Sequence, residues 1–301
     1  MDIRDAQAVV LRGKVYVGGG NIFQRSGAQS CLPSGLLIYD LAKGTWDTLR
    51  TPTKCYGLTS YRSQLVLVGG KNPTNFGHST NRLWVLDEEH HWTEPLPPML
   101  TKNCGASALG VGNHLIVAGG LNDELGPLDV VQIYDGHEWR MAHSLPNACY
   151  FMKSALYEGN WYLAGGVGQS RMVFHTSLES LIVATNTEEI DQTLWKKLPN
   201  VPLLKSALLV FRKQLLSVGG GDPCSSSIYA YTSYTNSWVC VAHLPIVCYS
   251  TCILDLPTGE LMMMGGVTDD IWSISHAVFK AKIRGTYLAH QLVPIPYHRH
   301  S

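Results

Sequence analysis

The chain has 301 residues, 45% of them apolar, which is enough to fill a sizeable core. Its 23 basic and 23 acidic residues cancel, so nothing in the bulk charge draws it toward nucleic acid, an anionic membrane or an acidic substrate. Met1 runs straight into the polar DIRDAQ, no apolar stretch approaches the ~18 residues that span a bilayer, and the eight cysteines form no C-x-x-C pair. A cytoplasmic protein with free thiols is expected.

Along the chain, six short apolar runs each end in a glycine doublet: VYVGG, LVLVGG, LIVAGG, WYLAGG, LLSVGG and LMMMGG. The doublets are Gly19-Gly20, Gly69-Gly70, Gly119-Gly120, Gly165-Gly166, Gly219-Gly220 and Gly265-Gly266, at steps of 50, 50, 46, 54 and 46 residues. A period near 50 marks a repeat architecture. Each repeat reads as two β-rich runs, the doublet, then a third and a fourth run. The third carries Tyr39, Trp84, Tyr134, Ile182, Tyr229 or Trp272, and the fourth opens near Trp46, Trp92, Trp139, Trp195 or Trp238, with Phe279 taking the tryptophan's place in the sixth repeat. A lone four-stranded sheet leaves two faces bare, and arranging successive sheets about an axis buries both. The tryptophans are assigned to that packing, and the doublets to points where backbones crowd or φ turns positive.

Doublet, downstream aromatic and tryptophan together resemble the kelch repeat over nearly the full chain. The resemblance implies an all-β protein: a six-bladed kelch β-propeller with four antiparallel strands per blade. One domain is expected over residues 1–283, with its last blade closed by a strand near Val278 to Ile283, and residues 284–301 as a loosely packed or disordered tail. The repeats depart from the family pattern at Ile182 and Phe279, and in having Asn-Cys, Lys-Cys or Ala-Cys where many kelch repeats carry arginine.

In an up-and-down blade the second-to-third and fourth-to-first connections emerge at the same end. From doublet to third-run aromatic the intervals are 20, 15, 15, 17, 10 and 7 residues, so the first four repeats carry long loops and the last two do not. Loops on a rigid scaffold are where binding residues collect. Arg25, Asn72, Asn75, His78, Asn122, Asp123 and Arg171 are the partner-binding candidates, since Arg and His offer charge-assisted contacts and Asn adaptable hydrogen bonds.

Cys55, Cys104, Cys149 and Cys248 open the inner strands of their repeats, which would ring the channel mouth with thiols. Clustered thiolates suit soft metals. A small, readily buried residue copied by duplication explains the same pattern more simply, and no metal or cofactor is assigned. No H-E-x-x-H, G-x-S-x-G or Walker pattern is present, so no catalytic residues are named. The expected function is a non-enzymatic, monomeric scaffold that binds a protein or peptide through this loop face, without nucleic acid or membrane. Kelch relatives supply two alternatives: the substrate-recognition part of a ubiquitin-ligase adaptor, if a BTB domain lies outside this chain, and a sugar-active propeller enzyme such as a mutarotase.

Overall fold

The computed structural model describes residues 3–22, 35–73, 77–169, 174–177, 181–184, 195–221, 224–266, 278–284 and 287–295. Among them are six four-stranded antiparallel sheets and no helix. From inner to outer strand, the first sheet is Gln7–Leu11, Lys14–Gly18, Gly35–Asp40 and Thr45–Arg50, and the second is Gly57–Tyr61, Gln64–Val68, Leu83–Leu86 and Trp92–Thr93. The third is Ser107–Val111, His114–Ala118, Val131–Tyr134 and Trp139–Met141, and the fourth Lys153–Tyr157, Asn160–Ala164, Leu181–Ala184 and Trp195–Leu198. Ala207–Phe211, Gln214–Val218, Ser225–Thr232 and Ser237–Cys248 make the fifth; Cys252–Asp255, Glu260–Met264, Val278–Arg284 and Tyr287–Ile295 make the sixth.

The core lies between sheets. One apolar cluster joins Val15, Val17 and Tyr39 of the first sheet to Cys252, Met262 and Met264 of the sixth. Others fill the seams between first and second, second and third, third and fourth, fourth and fifth, and fifth and sixth sheets. Each sheet thus buries both faces against its two neighbours, and the ring closes on itself as a β-propeller.

Inner hairpins turn tightly because two successive residues take positive φ, as at Arg12-Gly13, Arg62-Ser63, Glu158-Gly159 and Arg212-Lys213. That is the type I′ geometry that matches strand twist. The outer-strand tryptophans serve the seams in a way that spacing does not reveal. The indole Nε1–H of Trp92 donates to the Arg50 carbonyl (2.7 Å), that of Trp139 to Pro97 (2.9 Å), Trp195 to His143 (3.0 Å) and Trp238 to Pro199 (3.3 Å). Each indole therefore ties its own sheet to the chain leaving the preceding one.

Strand register corrects the aromatic column. The residues paired with the second-strand position four before the doublet are Tyr39 and Tyr134 in the first and third sheets, but Ala184 in the fourth. Trp84, Ile182 and Tyr229 lie two residues before the matching positions of their strands. The fourth sheet places its bulk on the neighbouring strand instead, where Trp161 is fully buried and packs at a tilt against Trp195, ring centroids 5.9 Å apart.

The sixth repeat is stretched. Its third strand starts at Val278, so Phe279 pairs with Met263 on that strand and does not stand in for an outer-strand tryptophan. Tyr287–Ile295, expected as a loose tail, pairs with Val278–Arg284 as the outer strand, which moves the boundary expected at residue 283. The connection after Met264 is accordingly longer than the one that ends the fifth sheet's second strand, contrary to the interval count. Trp272 lies outside the described residues.

Trp139 is 8% exposed and packs its ring 5.4 Å from Tyr134, whereas Trp92 is only half-buried. Trp139→Ala is expected to lower unfolding free energy by ~3–5 kcal/mol and Trp92→Ala by about half as much. Urea unfolding curves of the two variants beside the wild type check the order; equal losses would contradict it.

Candidate functional site

At one end of the ring, each inner strand is entered through a residue with positive φ: Asp5 (58°), Cys55 (51°), Gly105 (63°), Phe151 (56°), Lys205 (56°) and Ser250 (53°). In every sheet the strand begins two residues later. At four seams the main-chain N–H of this residue donates to its counterpart in the preceding sheet: Gly105 to Cys55 (2.6 Å), Phe151 to Gly105 (2.8 Å), Ser250 to Lys205 (2.9 Å) and Asp5 to Ser250 (3.2 Å). The doublets interlock with the same turns. The second glycine's N–H of Gly70, Gly120 and Gly220 donates to the carbonyls of Asn103, Cys149 and Cys248 in the next sheet. A Cβ on Gly119, at φ +66°, would collide with the Cys149 carbonyl oxygen, so the residue there has to be glycine.

Polar side chains cross the axis just below this ring. Gln7 donates to the Ala106 carbonyl at 3.2 Å while its own amide oxygen accepts from the Leu58 N–H at 2.7 Å. Lys153 reaches from the fourth sheet to the Ala6 carbonyl of the first at 3.3 Å, with Asp5 at 3.9 Å.

The four cysteines do not occupy one repeated position. Cys55 is the positive-φ residue itself, Cys104 sits one residue before it, and Cys149 and Cys248 two before. Cys104, Cys149 and Cys248 are buried, and burial pushes the first two thiols up to about 12 and raises Cys248 and Cys55 as well. Cys149 Sγ contacts Met152 Sδ at 3.1 Å and the Asn147 carbonyl at 3.5 Å. These are neutral packing thiols beneath the doublets.

Of the loop candidates, Asn72, His78, Asn122 and Asp123 converge on the seam between the second and third sheets; Arg25, Asn75 and Arg171 lie outside the described residues. The carboxylate of Asp123 is the centre. It accepts from Lys71 Nζ at 3.1 Å and from the Ser79 main-chain N–H, and it lies 3.8 Å from His78 Nδ1. Burial pushes its pKa up, but the Ser79 bonds and the Lys71 ammonium outweigh burial and hold it below the usual range. Asn122 is not an adaptable contact, because its Oδ1 accepts from the Glu124 and Leu125 N–H groups and its Nδ2 donates to the Lys102 carbonyl. It builds the turn that lifts Leu125, 70% exposed, to the tip of the loop. Lys71, Ser79 and Leu125 went unnoticed in the sequence; the roles of Lys71 and Ser79 come from contacts with Asp123 more than 40 residues away, which periodicity does not carry, and Leu125 is set by the local Asn122 turn.

At the opposite end, ligand atoms of Asp87, Glu89 and His91 lie within 4.8 Å of one another. Asp87 Oδ1 already accepts from the Glu89 and His91 N–H groups as an ordinary turn, so this exposed cluster is assigned no site.

Comparison with known proteins agrees with the geometry. The Kelch motif profile matches residues 102–146. The chain is 22% identical over 178 residues to "Kelch repeat and BTB domain-containing protein 2" of Ectromelia virus (strain Moscow), a match covering 55% of this chain and 32% of that protein. The chain thus spans about a third of that relative's length. A solved structure titled "Structure of YjhT" superposes with a TM-score of 0.73 at 13% identity, covering 96% of this chain and 97% of the other.

Two outcomes are expected. Asp123 contributes stability that is complete above the unfolded carboxyl value of about 3.9 and fades as pH falls through its lower folded value. The Ser79 amide resonance should therefore show an acid-side movement only below about pH 4, with Asp123→Asn abolishing that movement. In native protein at pH 8, exposed Cys240 should react with a thiol reagent while Cys104, Cys149 and Cys248 stay protected until unfolding. Mass spectrometry of labelled peptides decides it.

Proposed function

Because this chain is a kelch-repeat protein with a β-propeller fold, we propose that it works as a protein-interaction module whose contact surface is the loop end of the ring. The observation that carries this reading is the Asp123 latch. It ties the loop of the third sheet to Lys71 and Ser79 of the second, and His78 and Leu125 stand on the resulting platform. A preorganised loop pair lowers the ordering entropy of association, and an exposed leucine beside a histidine and an ion pair gives an apolar contact with a polar rim. Kelch-repeat proteins generally bind proteins, which supports a protein or peptide partner. The BTB domain named in the viral relative would extend this to ubiquitin-ligase adaptor work if such a domain accompanies these repeats.

The test is affinity capture with wild type, a His78→Glu/Leu125→Glu double variant, and Tyr234→Ala as a control at the opposite end, where Tyr234 is 96% exposed. A partner retained by wild type and control but lost by the double variant is expected. Retention by all three, at matched melting temperatures, would remove the loop end from consideration.

A further inference from the structure

The seam between the fourth and fifth sheets, like that between the first and second, lacks both the turn-to-turn bond and the doublet bond at its axial end among the described residues. Gly166 occupies the place of Gly70, Gly120 and Gly220, yet it makes no hydrogen bond among the described residues. The link from Lys205 to the Phe151 carbonyl, expected from the other turns, is likewise absent among the described residues. A small cavity opens there, walled by Phe151 and the Gly165-Gly166 doublet and edged by Asp5, Lys153, Lys205 and Ser206.

Its polar groups are mostly donors. The Lys153 side chain is 11% exposed; its ammonium donates one hydrogen to the Ala6 carbonyl at 3.3 Å and lies 3.9 Å from Asp5 Oδ1, which leaves it further hydrogens to donate. Lys205 stands at the rim, its ammonium 5.5 Å from the Tyr249 ring centroid. Ser206 is buried, and its hydroxyl meets that of Ser217 at 2.9 Å, a pair that consumes one of its two hydroxyl hydrogens. Two ammonium groups, one carboxylate, a spare hydroxyl hydrogen and a glycine N–H with no partner among the described residues make a donor-rich cup carrying one net positive charge. Main-chain N–H groups beside ammonium groups favour oxyanions. Asp5 disfavours a dianion, and the narrow space admits a head group rather than a whole metabolite.

We infer that this cavity at the fourth-to-fifth seam binds a monoanionic carboxylate, seated between Lys153, Lys205 and the Gly166 N–H. The carboxylate is carried either by a free small acid or by an acidic side chain of a peptide. The site is separate from the Asp123 latch, so it stands or falls independently of the loop-end reading.

The experiment follows the Gly166 amide by NMR in the full chain at constant ionic strength, titrated with acetate and with acetamide as the neutral isostere. A saturable shift with acetate and none with acetamide is expected, with affinity reduced about tenfold or more in Lys205→Met, a rim variant that leaves the core untouched. Lys153→Met is the second variant, read only if it melts as a folded protein. Blocked tripeptides centred on glutamate or glutamine distinguish the sources: the glutamate peptide binding more tightly than acetate assigns the carboxylate to a peptide, and acetate binding as well as the peptide assigns it to a free acid. A Gly166 resonance unmoved by acetate, an equal shift with acetamide, or undiminished binding in Lys205→Met would overturn the inference.

Discussion

The main-chain contact between successive sheets at the axial end is the constraint on which the rest of the molecule depends. Six turns with φ near +55° carry each inner strand into the ring, and at four seams they bond directly to one another. Such bonds, buried and close to the axis, fix how far apart neighbouring sheets sit. The glycine doublets follow from that spacing, because a Cβ on Gly69, Gly119 or Gly219 would enter the next sheet's turn. So does the choice of small or apolar residues around Cys149 and Cys248, whose carbonyls receive the doublet N–H groups. Further from the axis the sheets diverge, and the widening gap is filled by larger side chains, ending with the indoles of Trp139 and its equivalents.

Much of this was legible in the sequence. The doublets gave the number and phase of the repeats, since only glycine tolerates both the positive φ and the close approach. The tryptophans gave the outer strands, because a large ring at a fixed interval has no other use in a stacked sheet. What failed was register inside the third strand. Trp84 and Tyr229 look equivalent to Tyr39 by type, but they stand two residues away on the same face, and a period-two strand does not distinguish such positions by pattern. The stretched sixth repeat failed for a related reason: nothing in a fixed interval announces that Val278–Arg284 and Tyr287–Ile295 arrive late.

The candidate site was readable only by position. Loop residues His78, Asn122 and Asp123 were picked out because the connections are long and polar. Their division of labour was not visible, because it depends on which loop leans on which. Asp123 serves the neighbouring sheet, Asn122 serves its own turn, and His78 alone of the three keeps a largely exposed side chain. The cysteines show the reverse error. Four cysteines at the starts of inner strands suggested one ring of thiols, whereas the turns put them at three different steps, with Cys104, Cys149 and Cys248 buried by local packing and Cys55 half-buried.

The closing strand also bears on folding. Every sheet is built from one contiguous stretch of chain, including the sixth, so the ring is completed by the seam between the sixth and first sheets, through the Asp5–Ser250 bond and the cluster around Val15 and Met262. The sequence separation across that seam is about five times that across the others. Closure entropy grows only logarithmically, by about 0.6 kcal/mol per doubling, so the extra penalty is roughly 1.4 kcal/mol. One apolar cluster exceeds that comfortably, and the ring needs no strand exchanged between its first and last sheets to stay shut. The difference shows in kinetics, because the five local seams can form in any order while the last waits for all of them.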